Sequence, residues 1–205
     1  MFFFLMPPIR HFLLMLAFLP SAFCSNDILP QVEAYLSGVK FIYAKFEQIM
    51  SSGDFHFGQF WLGKKNRKTK IRIKYEDDIA QDVFIVDSIV TVFDKKTSKK
   101  YVSSLSKTPI YSILTGSLNL SHENYEILEN SKNRLRLNLK KSSIFGNMNI
   151  VLMFSKYQNG NLKNIEGWII SDGKSETIFS FDQDTLSVND EKKIPDSIFS
   201  FPENN

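Results

Sequence analysis

Apolar and charged residues alternate along Ile71-Arg72-Ile73-Lys74-Tyr75-Glu76, three of each kind. The pattern returns in Arg134-Leu135-Arg136-Leu137-Asn138-Leu139-Lys140. A period of two places successive side chains on opposite faces of an extended strand, one face dry and one wet. Weaker versions of the pattern mark strands at 41–49, 55–62, 81–87, 89–93, 100–105, 125–129, 147–154, 162–170 and 175–181, and a short one near 198–201. Turn signals at Ser52-Gly53-Asp54, Asn159-Gly160-Asn161 and Asp172-Gly173 separate some of them. Roughly eleven strands, many with a wet face, predict one large antiparallel sheet, curled or barrel-like. Parallel α/β architecture would need a helix between successive strands, and the chain has too few.

Two helices are expected. Asp27 and Pro30 open a pattern in which Ile28, Leu29, Val32, Tyr35, Leu36 and Val39 share one face, with Gly38 as its stop. Only one side is apolar, so this helix lies on something. The second is short. Thr108-Pro109-Ile110-Tyr111-Ser112-Ile113-Leu114-Thr115-Gly116 has a cap, a proline at the first helical position, apolar spacing and a terminal glycine.

The amino-terminal segment reads as a secretion signal. Arg10 and His11 precede the apolar run Phe12 to Leu19, followed by Pro20, Ser21 and Ala22. The run is too short for a bilayer span, which takes about 20 residues. The oily residues before Arg10 fit poorly, which makes Met6 a candidate start. Cleavage after Cys24, with Ala22 and Cys24 at the two small positions, gives a leader of residues 1–24 and a mature domain of residues 25–205. The rival outcome is lipidation of Cys24, for which the large Phe23 is a poor neighbour. A bacterial leader of this type sends the chain to the periplasm.

Composition sharpens this. The chain has 205 residues, 43% hydrophobic and 23% charged, so neither disorder nor a multi-span membrane protein is expected. No linker or long repeat divides it, and one domain follows the leader. Of the 19 phenylalanines, six fall in residues 1–24, as does the single cysteine. The mature chain therefore carries no disulfide and no cysteine metal site. Its remaining rings recur as Phe55-x-Phe57, Phe179-x-Phe181 and Phe199-x-Phe201, each pointing two rings to one sheet face.

Catalytic signals are missing. The mature chain has two histidines, His56 and His122, in separate segments. No H-E-x-x-H, G-x-S-x-G, phosphate-binding loop or dinucleotide fingerprint occurs. No enzyme, metal or cofactor is expected. Seven bases fall within residues 64–74, at Lys64, Lys65, Arg67, Lys68, Lys70, Arg72 and Lys74. Such a run could follow phosphates, but a secreted chain meets little nucleic acid. A docking patch for an anionic surface or acidic partner and a plain solvated hairpin tip both stay open.

The order of these features resembles the outer-membrane lipoprotein carrier family, LolA. Leu36 through Gln48 is similar to that family's helix end and first strand with its F-x-Q ending. Phe57-Gly58-Gln59-Phe60-Trp61-Leu62 is similar to its second strand, and Ile71-Arg72-Ile73-Lys74-Tyr75 stands in the place of its third. Thr108-Pro109-Ile110 through Leu114 resembles its central helix. Ile194-Pro195-Asp196-Ser197-Ile198-Phe199-Ser200-Phe201-Pro202 resembles its carboxyl-terminal tail. The chain departs in three places. Gly63-Lys64-Lys65-Asn66 replaces an Arg-Pro, Ile71 and Ile73 replace large aromatics, and Asp87-Ser88 replaces an Asp-Gly turn.

The resemblance implies a mainly β, single-domain, unclosed antiparallel barrel covered by an N-terminal amphipathic helix and a short central one. It implies a periplasmic monomer that carries the acyl chains of lipoproteins in a hydrophobic cavity. The implied partners are the acylated cargo, an inner-membrane lipoprotein-releasing ABC transporter and, where one exists, an outer-membrane receptor, with no nucleic acid. By position, the cavity residues would be Leu36, Ile71, Ile73, Ile85, Tyr111, Ile113 and Leu114. The family's lid-latching arginine would be replaced by Lys64 or Lys65. Related half-barrels act as lipid or glycolipid carriers, as outer-membrane lipoprotein receptors or as lipoprotein-sensing domains, and these readings stay open beside the first. So does a structural or surface-interaction protein on the same sheet.

Overall fold

A computed structural model describes residues 28–105, 113, 115, 125–131, 133–139, 148–156 and 161–201. Helix α1 runs Leu29–Gly38. Eleven long strands follow: β1 Phe41–Met50, β2 Phe55–Lys65, β3 Lys68–Tyr75, β4 Gln81–Val86, β5 Ile89–Asp94, β6 Lys99–Ser104, β7 Tyr125–Ser131, β8 Arg134–Leu139, β9 Asn149–Lys156, β10 Leu162–Ser171 and β11 Glu176–Phe181. A two-residue strand, β12 (Ser187–Val188), and two 3-10 turns, Glu191–Lys193 and Asp196–Phe199, complete the described elements.

The strand order is β6-β5-β4-β3-β2-β1-β11-β10-β9-β8-β7, with β12 added beside β1. All pairings are antiparallel. Strands β1 to β6 form one meander and β7 to β11 another, joined where Phe46 meets Phe181 and Gln48 meets Phe179. Strands β6 and β7, consecutive in the chain, lie at opposite edges. The sheet is thus antiparallel, as the alternating pattern predicts, and it is unclosed with a helix at its start, as the resemblance implies.

Alternation decides which side chains meet. On β1, Ile42, Ala44 and Phe46 are buried on one face, while Lys45 and Glu47 on the other are exposed. Their partners on β2 continue the apolar face: Ile42 opposes Leu62 and Ala44 opposes Phe60. The register then carries it from Leu62 to Ile71 and from Ile71 to Ile85. One glycine alters this alternation. Gly167 sits at φ 156°, where the β9–β10 register shifts, and a Cβ there would lie 2.1 Å from the Phe179 carbonyl oxygen. This bulge turns Trp168 onto the same face as Phe179, its partner on β11.

Helix α1 covers the apolar face with Val32 and Leu36, and Ile28 just before it is buried too. Each such side chain is worth about 1.5–3 kcal/mol when fully buried. Polar ties fix the helix over β7 and β10. The Ile28 amide donates to Asn130 Oδ1 at 2.9 Å, Leu162 to Gln31 Oε1 at 3.1 Å and Ile165 to Tyr35 Oη at 3.1 Å. The helix starts without a side-chain cap from Ile28. The expected Asp27 cap lies outside the described residues, as do the leader with Cys24 and most of the second helix. Within the latter, Ile113 and Thr115 have helical backbone, and Ile113 is buried.

The opposite face differs from expectation on β3. Alternation predicts that Arg72 faces water; instead the carboxyl-terminal tail covers it. Its guanidinium lies 5.7 Å from the Trp61 ring centroid and 5.0 Å from that of Phe84. It donates to Asp82 Oδ2 at 2.8 Å and to the Ile198 carbonyl at 3.1 Å. Phe199 packs over Gly63, where a Cβ would meet its ring at 3.1 Å. Phe201 packs on Phe84 and Phe93. The expected strand near 198–201 is a 3-10 turn over Asp196–Phe199, which Pro195 starts and in which the Ile198 and Ser200 amides donate to the Pro195 and Ser197 carbonyls instead of a ladder.

Candidate functional site

The floor under α1 is aromatic. Phe179 stacks on Phe46 at 4.5 Å and 17°, and on Trp168 at 4.5 Å and 6°. Phe60 meets Phe179, Trp168 and Phe181 edge-on, at 6.1, 6.1 and 5.2 Å. Offset and edge-on ring pairs add about 0.5–1.5 kcal/mol beyond their buried area. Tyr75 closes one side, edge-on to Phe46, with its hydroxyl donating to Gln48 Oε1 at 2.7 Å. Burial, helped by the negative charge of Asp77, pushes the Tyr75 pKa up to about 12.

Between this floor and the helix lies an apolar space of about 20 Å³. That is room for about one water, so the helix is packed down. Tyr35, Leu36 and Val39 form its roof, with Ile113 beside them, and Phe60, Trp168 and Phe181 form its floor. Among the described residues, Lys64 is its one charged lining residue.

Lys64 reaches the site by parity. Strand β2 continues past Leu62 to Lys65, so Lys64 shares the face of Leu62. Its Nζ donates to the Leu36 carbonyl at 3.1 Å, at the carboxyl end of α1. A cation there also complements the helix dipole. Among the described residues it forms no ion pair. Burial lowers its pKa to about 8. Lys65 turns to the other face and pairs with Glu191 at 3.1 Å. Beyond Lys64 the space meets an open, basic hollow of about 440 Å³, lined by Lys40, Lys65, Arg67 and Lys68 with Asp87 as its acid.

The sequence candidates fall as follows. Leu36 and Ile113 line the space directly. Ile71 and Ile85 oppose each other on β3 and β4, buried in the same apolar cluster. Ile73 is half-buried against that cluster, opposite Phe60. Tyr111 and Leu114 lie outside the described residues. Sequence reading left out Phe46, Phe60 and Trp168, although Phe179-x-Phe181 already pointed to a face with two rings.

His56 faces a simpler arrangement. Its Nδ1 lies 2.8 Å from Asp77 Oδ2, and Asp77 also accepts from the Phe57 and Ile79 amides. The pair fastens the β3–β4 turn. Among the described residues no cluster of His, Cys, Asp or Glu could hold a metal ion, and no helix is long and apolar enough to cross a membrane.

No family model matches the sequence, and no curated protein does. Several solved structures are similar. One is a domain from Vibrio parahaemolyticus provisionally assigned to outer membrane lipoprotein sorting, with 8% identity, 83% of this chain and 96% of that one covered, and a TM-score of 0.48. Another is a LolA superfamily protein from Nitrosomonas europaea, with 13% identity, 85% and 96% covered, and a TM-score of 0.45. The third is MucB, also solved with MucA from Pseudomonas aeruginosa. There the identity is 13%, 82% of this chain and 60% of that one are covered, and the TM-score is 0.47.

Proposed function

We propose that this chain is a non-catalytic periplasmic carrier of lipid acyl chains, with residues 1–24 as a removable leader and residues 25–205 as the carrier domain. One observation carries the reading: an aromatic sheet face is covered by a helix that leaves almost no space beneath it. Acyl chains would enter by displacing α1. The energies are commensurate. An acyl chain of about sixteen carbons gains roughly 12 kcal/mol on leaving water, at about 0.8 kcal/mol per CH₂. The apolar side chains of α1 are worth about 5–9 kcal/mol by the same scale. Helix and lipid can therefore exchange on one surface without either becoming a trap.

The finer reading follows from the sequence resemblance. The cargo would be acylated lipoproteins, received from an inner-membrane ABC transporter and handed to an outer-membrane receptor. In that reading Leu36, Ile71, Ile73, Ile85, Tyr111, Ile113 and Leu114 contact acyl chains, and Lys64, rather than Lys65, latches the helix. Lipid or glycolipid carriage, lipoprotein reception and lipoprotein sensing are alternative readings of the same site, left open by the sequence resemblance.

Native mass spectrometry of the full chain purified from bacterial membranes tests the proposal. Co-purified acylated molecules are expected, and lipidated proteins among them would favour the finer reading. A folded protein that neither retains cargo nor takes up a fluorescent fatty acid would overturn it. Ile73→Asp supplies the local test: a folded variant with undiminished uptake removes Ile73 from the cavity.

A further inference from the structure

Lys64 stands at a boundary. On one side is the apolar space beneath α1, and on the other the basic hollow containing Lys40, Arg67 and Lys68. A largely buried ammonium is costly unless it is matched by an acceptor. Here the only acceptor among the described residues is a neutral carbonyl, that of Leu36. The one acid lining the hollow among the described residues, Asp87, accepts from the Thr69 amide at 3.3 Å. Lifting α1 removes the Leu36 carbonyl and strands the charge in an apolar wall.

We propose that the cavity's ligand is an anionic amphiphile, whose carboxylate or phosphate head replaces the Leu36 carbonyl on Lys64 while its acyl chain takes the place of α1. This rests on the carrier reading above and names its ligand class. A charge-assisted hydrogen bond is roughly twice as strong as a neutral one, so the exchange at Lys64 favours the ligand. The same head group removes the helix's latch. Lys40, Arg67 and Lys68 lie in the hollow that the head would enter and raise the local concentration of anions. A neutral lipid of equal chain length would open the helix without satisfying Lys64.

The test uses delipidated full chain and two pairs of probes with matched chains. Fluorescent cis-parinaric acid is compared with its methyl ester, and lysophosphatidic acid with monoacylglycerol as displacing ligands. The first pair tests a carboxylate head and the second a phosphate head. At least one anionic member is expected to bind about tenfold tighter than its neutral partner, the lower range for a hydrogen bond to a charged group. That preference should collapse in Lys64→Met and be retained in Lys64→Arg. Lys64→Gln, checked by thermal melting, substitutes if Lys64→Met fails to fold. Equal affinity for anionic and neutral members, or a preference that survives loss of the Lys64 charge, overturns the assignment while leaving the carrier reading intact. Failure to bind any of the four overturns both.

Discussion

Trp168 lies flat on Phe179, their ring centroids 4.5 Å apart and their planes 6° from parallel. Phe179 is 4% exposed and stacks on Phe46 from its other side. Phe179→Ala is therefore expected to cost about 3–5 kcal/mol, the range for emptying a buried aromatic site. Phe55→Ser, at a ring 50% exposed on the opposite face, should stay within about 0.5 kcal/mol. Urea denaturation of the two variants separates them.

The two tryptophans occupy opposite faces. Trp168 lines the space under α1, whereas Trp61 packs beneath the tail with Ile194 and Phe199. In Trp61→Phe, titration with a fatty acid should shift the remaining emission. In Trp168→Phe it should not. A response from Trp61 alone would place the ligand on the wrong side of the sheet.

Lys64 predicts a pH dependence. Its pKa is lowered from 10.5 to about 8 by burial, so above pH 8 the native state releases a proton that the unfolded chain still holds. Stability contributed by this residue must therefore rise between about pH 8 and pH 10.5, and be flat below. Partial exposure weakens the effect. The slope of unfolding free energy against pH should be less positive in Lys64→Met than in the parent over this window. Identical slopes would contradict it.

Arg72 and Asp82 form an ion pair at 2.8 Å, with Asp82 also 3.0 Å from Lys95. Arg72→Ala leaves a buried carboxylate with one cation and frees the tail at Ile198. A loss of about 3 kcal/mol is expected, the lower end for breaking a buried pair. Faster proteolysis of the tail after residue 189 should accompany it. Unchanged tail protection would mean that Phe199 and Phe201 hold the tail without Arg72.

Much of the sheet was legible because its period is unambiguous. Leu135, Leu137 and Leu139 are all buried, and Arg134 and Arg136 are exposed, as simple alternation requires. Parity alone does not reveal what covers a face. It sent Arg72 outward correctly, but the tail that buries it arrives from more than 120 residues away. In the tail, Phe199 and Phe201 alternate like strand residues while Pro195 and the Arg72 contact bend the backbone into a turn. A second strand ending at Leu62 leaves Lys64 and Lys65 equivalent. Continuing the alternation to Lys65 assigns Lys64 to the helix-covered face and Lys65 to the other.

The junction of β1 with β11 has a kinetic consequence. Every other long strand pairs with its sequence neighbour, so each meander can assemble through local hairpins. The seam at Phe46 and Phe181 joins positions 135 residues apart. Loop closure of that length is slow to be rewarded. Folding should therefore show two early sheets and one late zipping step. Until that step, Phe46 and Phe179 cannot stack, and each half exposes the surface that its lipid would occupy.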